Sequence, residues 1–170
     1  MTKLTPTSHL VLGLLNAAGE ATPYDLKQMV AGSFGHLWSI PHSQVYSEAE
    51  RLARAGLLKE RRERGGRRRK HYSLTDKGRK ALDEWLATPP EELYDLRDPG
   101  LLKLFFGADP SSLAAAQLAA HKERLAAYEE LARLAPPGET GGPRLALEAG
   151  IGHEREYVRF WSRLAKKPAR

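Results

Sequence analysis

At 170 residues the chain is long enough for one ordinary domain, or for a small domain with an accessory part, and 27 Lys and Arg against 21 Asp and Glu give it a net charge of +6. The absence of cysteine excludes disulfide frameworks, thiolate chemistry and cysteine-based zinc sites. Residues 1–82 hold 15 basic and 7 acidic side chains while residues 83–170 hold 12 and 14, so an anionic partner is sought in the first part only. The opening residues Met1 to Pro6 lack a signal-type apolar run, and no stretch approaches the roughly 18 apolar residues of a membrane span. A soluble cytoplasmic protein without a membrane partner is expected.

Leu10, Val11, Leu14, Leu15 and Ala18 recur at helical spacing behind Thr5-Pro6, which predicts a helix from Pro6 to Ala18 that stops at Gly19. Thr22-Pro23-Tyr24-Asp25 has capping-box spacing and starts a second short helix carrying Tyr24, Leu26, Met29 and Val30. An aromatic loop with Phe34 and Trp38 follows. A third helix begins at Pro41 to Ser43 and ends at Gly56, with Val45, Ala49, Leu52 and Ala53 inward and Gln44, Ser47, Glu48, Arg51 and Arg54 outward. Leu57 to Glu63 and Arg67 to Leu74 then read as a hairpin turning at Gly65-Gly66. Three short helices followed by a hairpin is the order of a winged helix-turn-helix.

Thr75-Asp76 caps a fourth helix with Ala81, Leu82, Trp85 and Leu86, ended by Pro89-Pro90. A short apolar helix from Asp98 to Gly107 carries Leu101, Leu102, Leu104, Phe105 and Phe106. A longer helix starts at Asp109-Pro110 and reaches Leu134, and after a Pro/Gly-rich turn a last helix runs through Trp161 and Leu164. Leu118, His121, Leu125, Tyr128 and Ala132 alternate at the spacings of a coiled-coil seam, and Leu147, Ile151, Val158 and Trp161 form a comparable stripe. Two such helices make an antiparallel hairpin whose other face needs a partner. The reading is therefore mainly α with a small β-hairpin: a winged helix-turn-helix over 1–88, a linker over 89–99, and an α-helical dimerisation domain over 100–170. Leu118, Leu125, Tyr128, Ile151, Val158 and Trp161 are the expected dimer contacts.

From Lys59 to Lys70 there are eight basic residues and two acidic ones. Side chains alternate faces along a strand, so a row basic on both faces cannot be core and must meet water or phosphate. A solvated charge run is the bland alternative, but the ordered-looking Tyr72-Ser73-Leu74-Thr75 base behind it favours a DNA-facing wing. Arg67, Arg68, Arg69, Lys70 and Tyr72 are its candidate contacts with double-stranded DNA. Ser43, Gln44, Ser47 and Arg51 are the residue types that reach base edges or phosphates from a major-groove helix. Tyr46 either packs inward or donates its hydroxyl to a phosphate. The six histidines show no ligand spacing, and neither a nucleophile elbow nor a phosphate loop occurs, so no metal, cofactor or enzymatic activity is expected. Trp38, Trp85, Trp161, Phe34, Phe105 and Phe106 either line an apolar ligand pocket or serve as core and interface packing.

Tyr24-Asp25-Leu26, Leu37-Trp38-Ser39, His42-Ser43-Gln44-Val45-Tyr46, Leu52 to Leu57 and Arg68 to Gly78 together resemble the PadR family of bacterial transcriptional regulators. Arg97-Asp98 with Leu101 to Phe106 resembles the start of the helical C-terminal domain in its longer, virulence-activator-like branch. The chain departs from many relatives at Ser47, where they carry proline, and in its arginine-rich wing. The resemblance implies a homodimer with interlocked C-terminal helices whose two winged domains read a palindromic operator, with recognition helices roughly 34 Å apart. It also implies a regulator of a family made mostly of repressors, some released by phenolic acids or other small aromatic effectors. The alternative is a winged-helix RNA-binding or protein-interaction module without operator specificity. RNA readers present aromatic platforms for unpaired bases, and this wing offers Tyr72 alone.

Overall fold

The computed structural model describes residues 3–31, 41–63, 68–90, 96–136, 138 and 140–166, and no side chain is described for His42. The expected turn at Gly65-Gly66, Arg67 of the wing, and Phe34 and Trp38 of the aromatic loop lie outside the described residues. The elements are α1 (Pro6–Ala18), β1 (Glu20–Ala21), α2 (Pro23–Met29), α3 (His42–Arg54), β2 (Leu58–Arg62), β3 (Lys70–Leu74), α4 (Asp76–Ala87), α5 (Pro99–Phe105), α6 (Pro110–Leu134) and α7 (Gly142–Ala165). The chain divides into two compact units, Met1–Leu93 and Tyr94–Arg170.

Local chemistry sets most of these boundaries. Thr5 and Ser8 close a capping box on α1, with the Ser8 hydroxyl accepting from the Thr5 N–H at 2.8 Å and the Thr5 hydroxyl accepting from the Ser8 N–H at 3.3 Å. Thr22 and Asp25 do the same on α2 at 2.9 and 3.2 Å. Gly19, with φ 75°, takes the left-handed turn that ends α1 and sends its N–H to the Leu15 carbonyl. Asp98 and Asp109 cap α5 and α6, each ahead of a proline in the first turn.

The sheet has three antiparallel strands in the order β1-β3-β2, where a two-stranded hairpin was expected. Glu20 and Ala21 pair with Ser73 and Tyr72, and β2 pairs with β3 from Leu58 opposite Leu74 to Arg62 opposite Lys70. The fully buried Val11, Leu12, Leu15, Leu26, Ala49 and Leu52 pack with Tyr72 and Leu82 into one core, each large side chain contributing about 1.5–3 kcal/mol by leaving water. Leu57 is the joint of this unit. Its carbonyl accepts from both the N–H and the hydroxyl of Thr75, at 3.1 and 3.0 Å, and a Cβ on Gly78 would lie 2.1 Å from the same oxygen. The first turn of α4 therefore rests directly on the backbone at the foot of the wing.

In the second unit α6 and α7 run antiparallel. His121 meets Glu154 toward one end, and Arg144 donates to the Ala132 carbonyl at the other. This changes the reading of the apolar stripes. Tyr128, Ile151 and Trp161 were expected to face a partner, yet their exposures of 3, 8 and 0 % mean that the chain already covers them. Leu118, Leu125 and Val158 are half-buried. Uncovered apolar surface is found at other positions: Leu102, Phe105 and Phe106 of α5 and its C-cap are 59, 83 and 77 % exposed, and Leu134 of α6 and Leu145 of α7 are exposed as well.

Candidate nucleic-acid interface

The polar surface of α3 is built by helical spacing. Ser43, Ser47, Glu50 and Arg54 recur at intervals of four, three and four residues and are all exposed, with Gln44 beside them. Opposite them, Val45, Ala49 and Leu52 are buried in the core and hold the helix down. The Ser47 hydroxyl lies 3.1 Å from the Ser43 carbonyl and 3.2 Å from the Gln44 carbonyl and donates its single proton back into the helix. Outwardly it offers acceptor lone pairs only.

Arg51 and Glu48 do not stand on this free face. The Glu48 side chain, expected outward, is 12 % exposed and lies against α1. Its carboxylate accepts from Arg51 Nε at 2.8 Å, from Arg51 Nη2 at 2.6 Å and from the Ser8 hydroxyl at 2.5 Å. Arg51 Nη2 also donates to Ser8 Oγ at 2.9 Å, and Ser8 is fully buried. The fork of Arg51 thus binds α3 to α1. Its hydrogen bond holds the Glu48 carboxyl below the ordinary range, with the Ser8 hydroxyl adding to the effect against a smaller opposing influence of burial than that of Arg51.

Tyr72 also differs from expectation. Its ring is fully buried at the centre of the sheet, and its hydroxyl donates to Glu60 Oε2 at 3.1 Å. Burial, then the neighbouring Glu60 charge, raises its pKa. No ring surface is left for a phosphate.

Six of the wing's eight cations fall on described residues, and half of those six are already neutralised. Arg61 makes a two-pronged bond to Glu20 at 2.9 and 2.8 Å, Arg62 Nε donates to Glu60 at 2.8 Å, and Lys70 Nζ donates to Glu50 at 2.6 Å. Each of these acids is held below its ordinary pKa, first by the hydrogen bond from its basic partner, so the pairs stay ionised at neutral pH. The side chains of Lys59, Arg68 and Arg69 are exposed and make no ion pair among the described residues, although the N–H and the charge of Arg69 both act on the Glu63 carboxyl. Arg68 adopts φ 46°, the left-handed region, as the chain enters β3.

Between α2, α3 and β3 lies a cleft of about 640 Å³, lined by Thr22, Pro23, Tyr24, Tyr46, Glu50, Arg69, Lys70 and Tyr72. It joins the recognition-type helix to the wing. Tyr46, 42 % exposed, stands on its wall, which leaves the hydroxyl on the solvent side of the two readings open to it. Tyr24 is 56 % exposed, and its hydroxyl accepts from Gln28 Nε2 at 2.9 Å, leaving its own proton to donate outward. Sequence reasoning gave Tyr24 no contact role and did not single out Glu50. The signal for Glu50 was available in the i, i+3 relation to Ser47; that for Tyr24 depends on how the short α2 lies and is not periodic.

Residues 11–84 match the Transcriptional regulator PadR-like family and residues 96–167 the Virulence activator alpha C-term family. The negative transcriptional regulator PadR of Bacillus subtilis (strain 168) is 30% identical over 165 residues, covering 88% of this chain and 90% of that protein. The crystal structure of Bacillus subtilis PadR in complex with operator DNA is similar with a TM-score of 0.79 at 29% identity, covering 93% of this chain and 96% of the other. That of Bacillus subtilis PadR in complex with p-coumaric acid has a TM-score of 0.76 at 28% identity, with the same coverage.

Proposed function

This chain belongs to the PadR-like family of transcriptional regulators, and from that premise we propose that it is a cytoplasmic repressor that binds a palindromic operator as a homodimer and is released by a small aromatic acid. The observation that carries the reading is an exposed Ser43-Gln44-Ser47 surface on the helix whose Tyr46 and Glu50 face Arg69 and Lys70 of the wing across one cleft, with Arg68 exposed beside it in sequence. A helix with these side chains fits the major groove, where amide and hydroxyl groups discriminate base edges. The wing cations fit phosphates or the minor groove, where they set affinity without reading sequence.

Residues 1–88 act as the winged DNA-binding domain and 100–170 as the dimerisation domain, joined by 89–99. Ser43, Gln44 and Ser47 read bases; Tyr46, Arg67, Arg68, Arg69 and Lys70 contact the backbone; Arg51 and Tyr72 hold the reading surface in place. Repression is supported by likeness to the negative regulator of Bacillus subtilis, and a small aromatic acid as ligand by likeness to the complex with p-coumaric acid.

The test is selection of genomic fragments bound by the full-length protein, followed by titration of the selected palindrome and a scrambled duplex. Operator affinity is expected to exceed scrambled affinity by at least about 10³-fold at physiological salt and to fall with log salt by about 0.9 per neutralised phosphate. Equal affinity for both duplexes overturns the reading. Addition of p-coumaric acid to the preformed complex tests the effector arm, where release is expected.

A further inference from the structure

One wing cation is held by the recognition-type helix itself. Lys70, at the start of β3, has its Nζ 2.6 Å from Glu50 Oε1 on α3 and 3.6 Å from Glu60 Oε2 on β2. Glu60 is also engaged by Arg62 Nε at 2.8 Å and by the Tyr72 hydroxyl at 3.1 Å, so Glu50 is the principal partner of Lys70. Glu50 follows Ser47 by three residues on the same exposed face. It lines both the cleft of about 640 Å³ and a smaller depression of about 340 Å³ shared with Ala53, Arg54, Glu60 and Lys70. A carboxylate therefore stands on the surface that a phosphate backbone has to approach, next to a cation that would otherwise be open to it.

The pair is open to exchange. The Lys70 and Glu50 side chains are 32 and 49 % exposed, and solvent-exposed ion pairs are weak enough for a phosphate to compete with them. Binding to arbitrary DNA draws its affinity from the number of phosphates neutralised. A cation held by a neighbouring acid is subtracted from that number until close docking draws it away. Specificity is a ratio, so lowering the sequence-independent term raises it without a new base contact.

We propose that Glu50 is a selectivity residue: it holds Lys70 back from passing phosphates, so that this cation joins the contact only when α3 is fully seated in the groove of its operator. The inference rests on the duplex-DNA reading above.

The experiment measures the affinity of the full-length protein for a random-sequence duplex over a range of salt, for wild type, Glu50→Gln, Lys70→Met and the double variant. The substitutions change one exposed and one half-buried side chain, neither of them part of the core. Glu50→Gln is expected to tighten random-duplex binding by about two- to fivefold, the range spanned by an exposed pair, and to steepen the log–log salt slope by up to about 0.9. In the Lys70→Met background the same change is expected to do neither. Unchanged or weaker binding by Glu50→Gln overturns the inference, as does equal tightening in both backgrounds, which would assign Glu50 a plain repulsion of phosphate. A wild-type protein that binds no duplex at any salt overturns the DNA reading and this inference together; a flat Glu50→Gln response on a wild type that binds overturns the inference alone.

Discussion

A hydroxyl has one proton to give, and Ser47 spends it on the carbonyls of Ser43 and Gln44. Facing outward as an acceptor, it suits the exocyclic amines of adenine or cytosine and not guanine O6. Gln44 keeps both donor and acceptor and suits adenine. Gln44→Ala is expected to cost about 1–3 kcal/mol at a single base pair while leaving random-duplex affinity nearly unchanged, which competition among singly substituted operators measures. Glu48 yields a pH prediction. Its folded pKa lies below the ordinary value of 4.5, so its stabilisation is present above that value and disappears as pH falls through the folded pKa. Glu48→Gln is expected to lose about 1–2 kcal/mol at pH 7, the deficit shrinking below about pH 4.5; urea unfolding of both proteins across that range checks it. Arg51 shows where the sequence falls silent at this scale. Its type and outward phase on α3 suit a DNA contact, but its bonding to Ser8 spans 43 residues and no local pattern announces it.

Helix ends were readable because they are written in short-range chemistry. Thr5, Thr22 and Thr75 cap the helices they were read to cap, and Asp98 and Asp109, read only as helix starts, cap theirs, each ahead of a first turn that carries proline or an acid. The two-residue β1 was not readable, since two residues carry no period and its partner lies some 50 positions away in β3. Eight wing cations were countable, but which of them are neutralised depends on Glu20, on Glu50 and on the cross-strand register. This divides the wing into testable classes. Arg68→Ala and Arg69→Ala are each expected to lower the salt slope by about 0.9, and Arg61→Ala and Arg62→Ala by less than half as much, because Glu20 and Glu60 already neutralise those side chains. The seat of α4 gives a stability prediction. Gly78→Ala puts a methyl 2.1 Å from the Leu57 carbonyl oxygen, and backbone on both sides has to move, at about 3 kcal/mol, the upper end of overpacking costs. A thermal melt that matches wild type would show that the joint between α4 and the foot of the wing yields.

For the whole molecule, the a/d rhythm of α6 and α7 announced two packed helices and the faces they bury, but not what covers those faces. A seam that pairs the two helices of one chain and a seam that pairs two chains have the same period, and Trp161, fully covered within the chain, belongs to the first kind. Phe105 and Phe106 are the better candidates for a dimer contact, since large aromatics this exposed are costly to leave in water. Phe105→Asp with Phe106→Asp is expected to convert a dimer to monomer in sedimentation and to lower operator affinity more than random-duplex affinity; an unchanged dimer would move the interface elsewhere. The sheet order adds a constraint on self-association of another kind. With β3 covered on both sides, β2 is left as an edge strand whose outer backbone groups have no partner among the described residues. Such an edge is a template for another chain's strand, and the charged side chains along it, Lys59 above all since Arg61 and Arg62 are already paired with Glu20 and Glu60, are of the kind that blunts strand pairing. The wing's charges are thus suited to guarding its edge against strand pairing with another copy. Wholesale neutralisation of the wing is expected to produce light scattering and fibrillar aggregates before it produces a clean loss of binding.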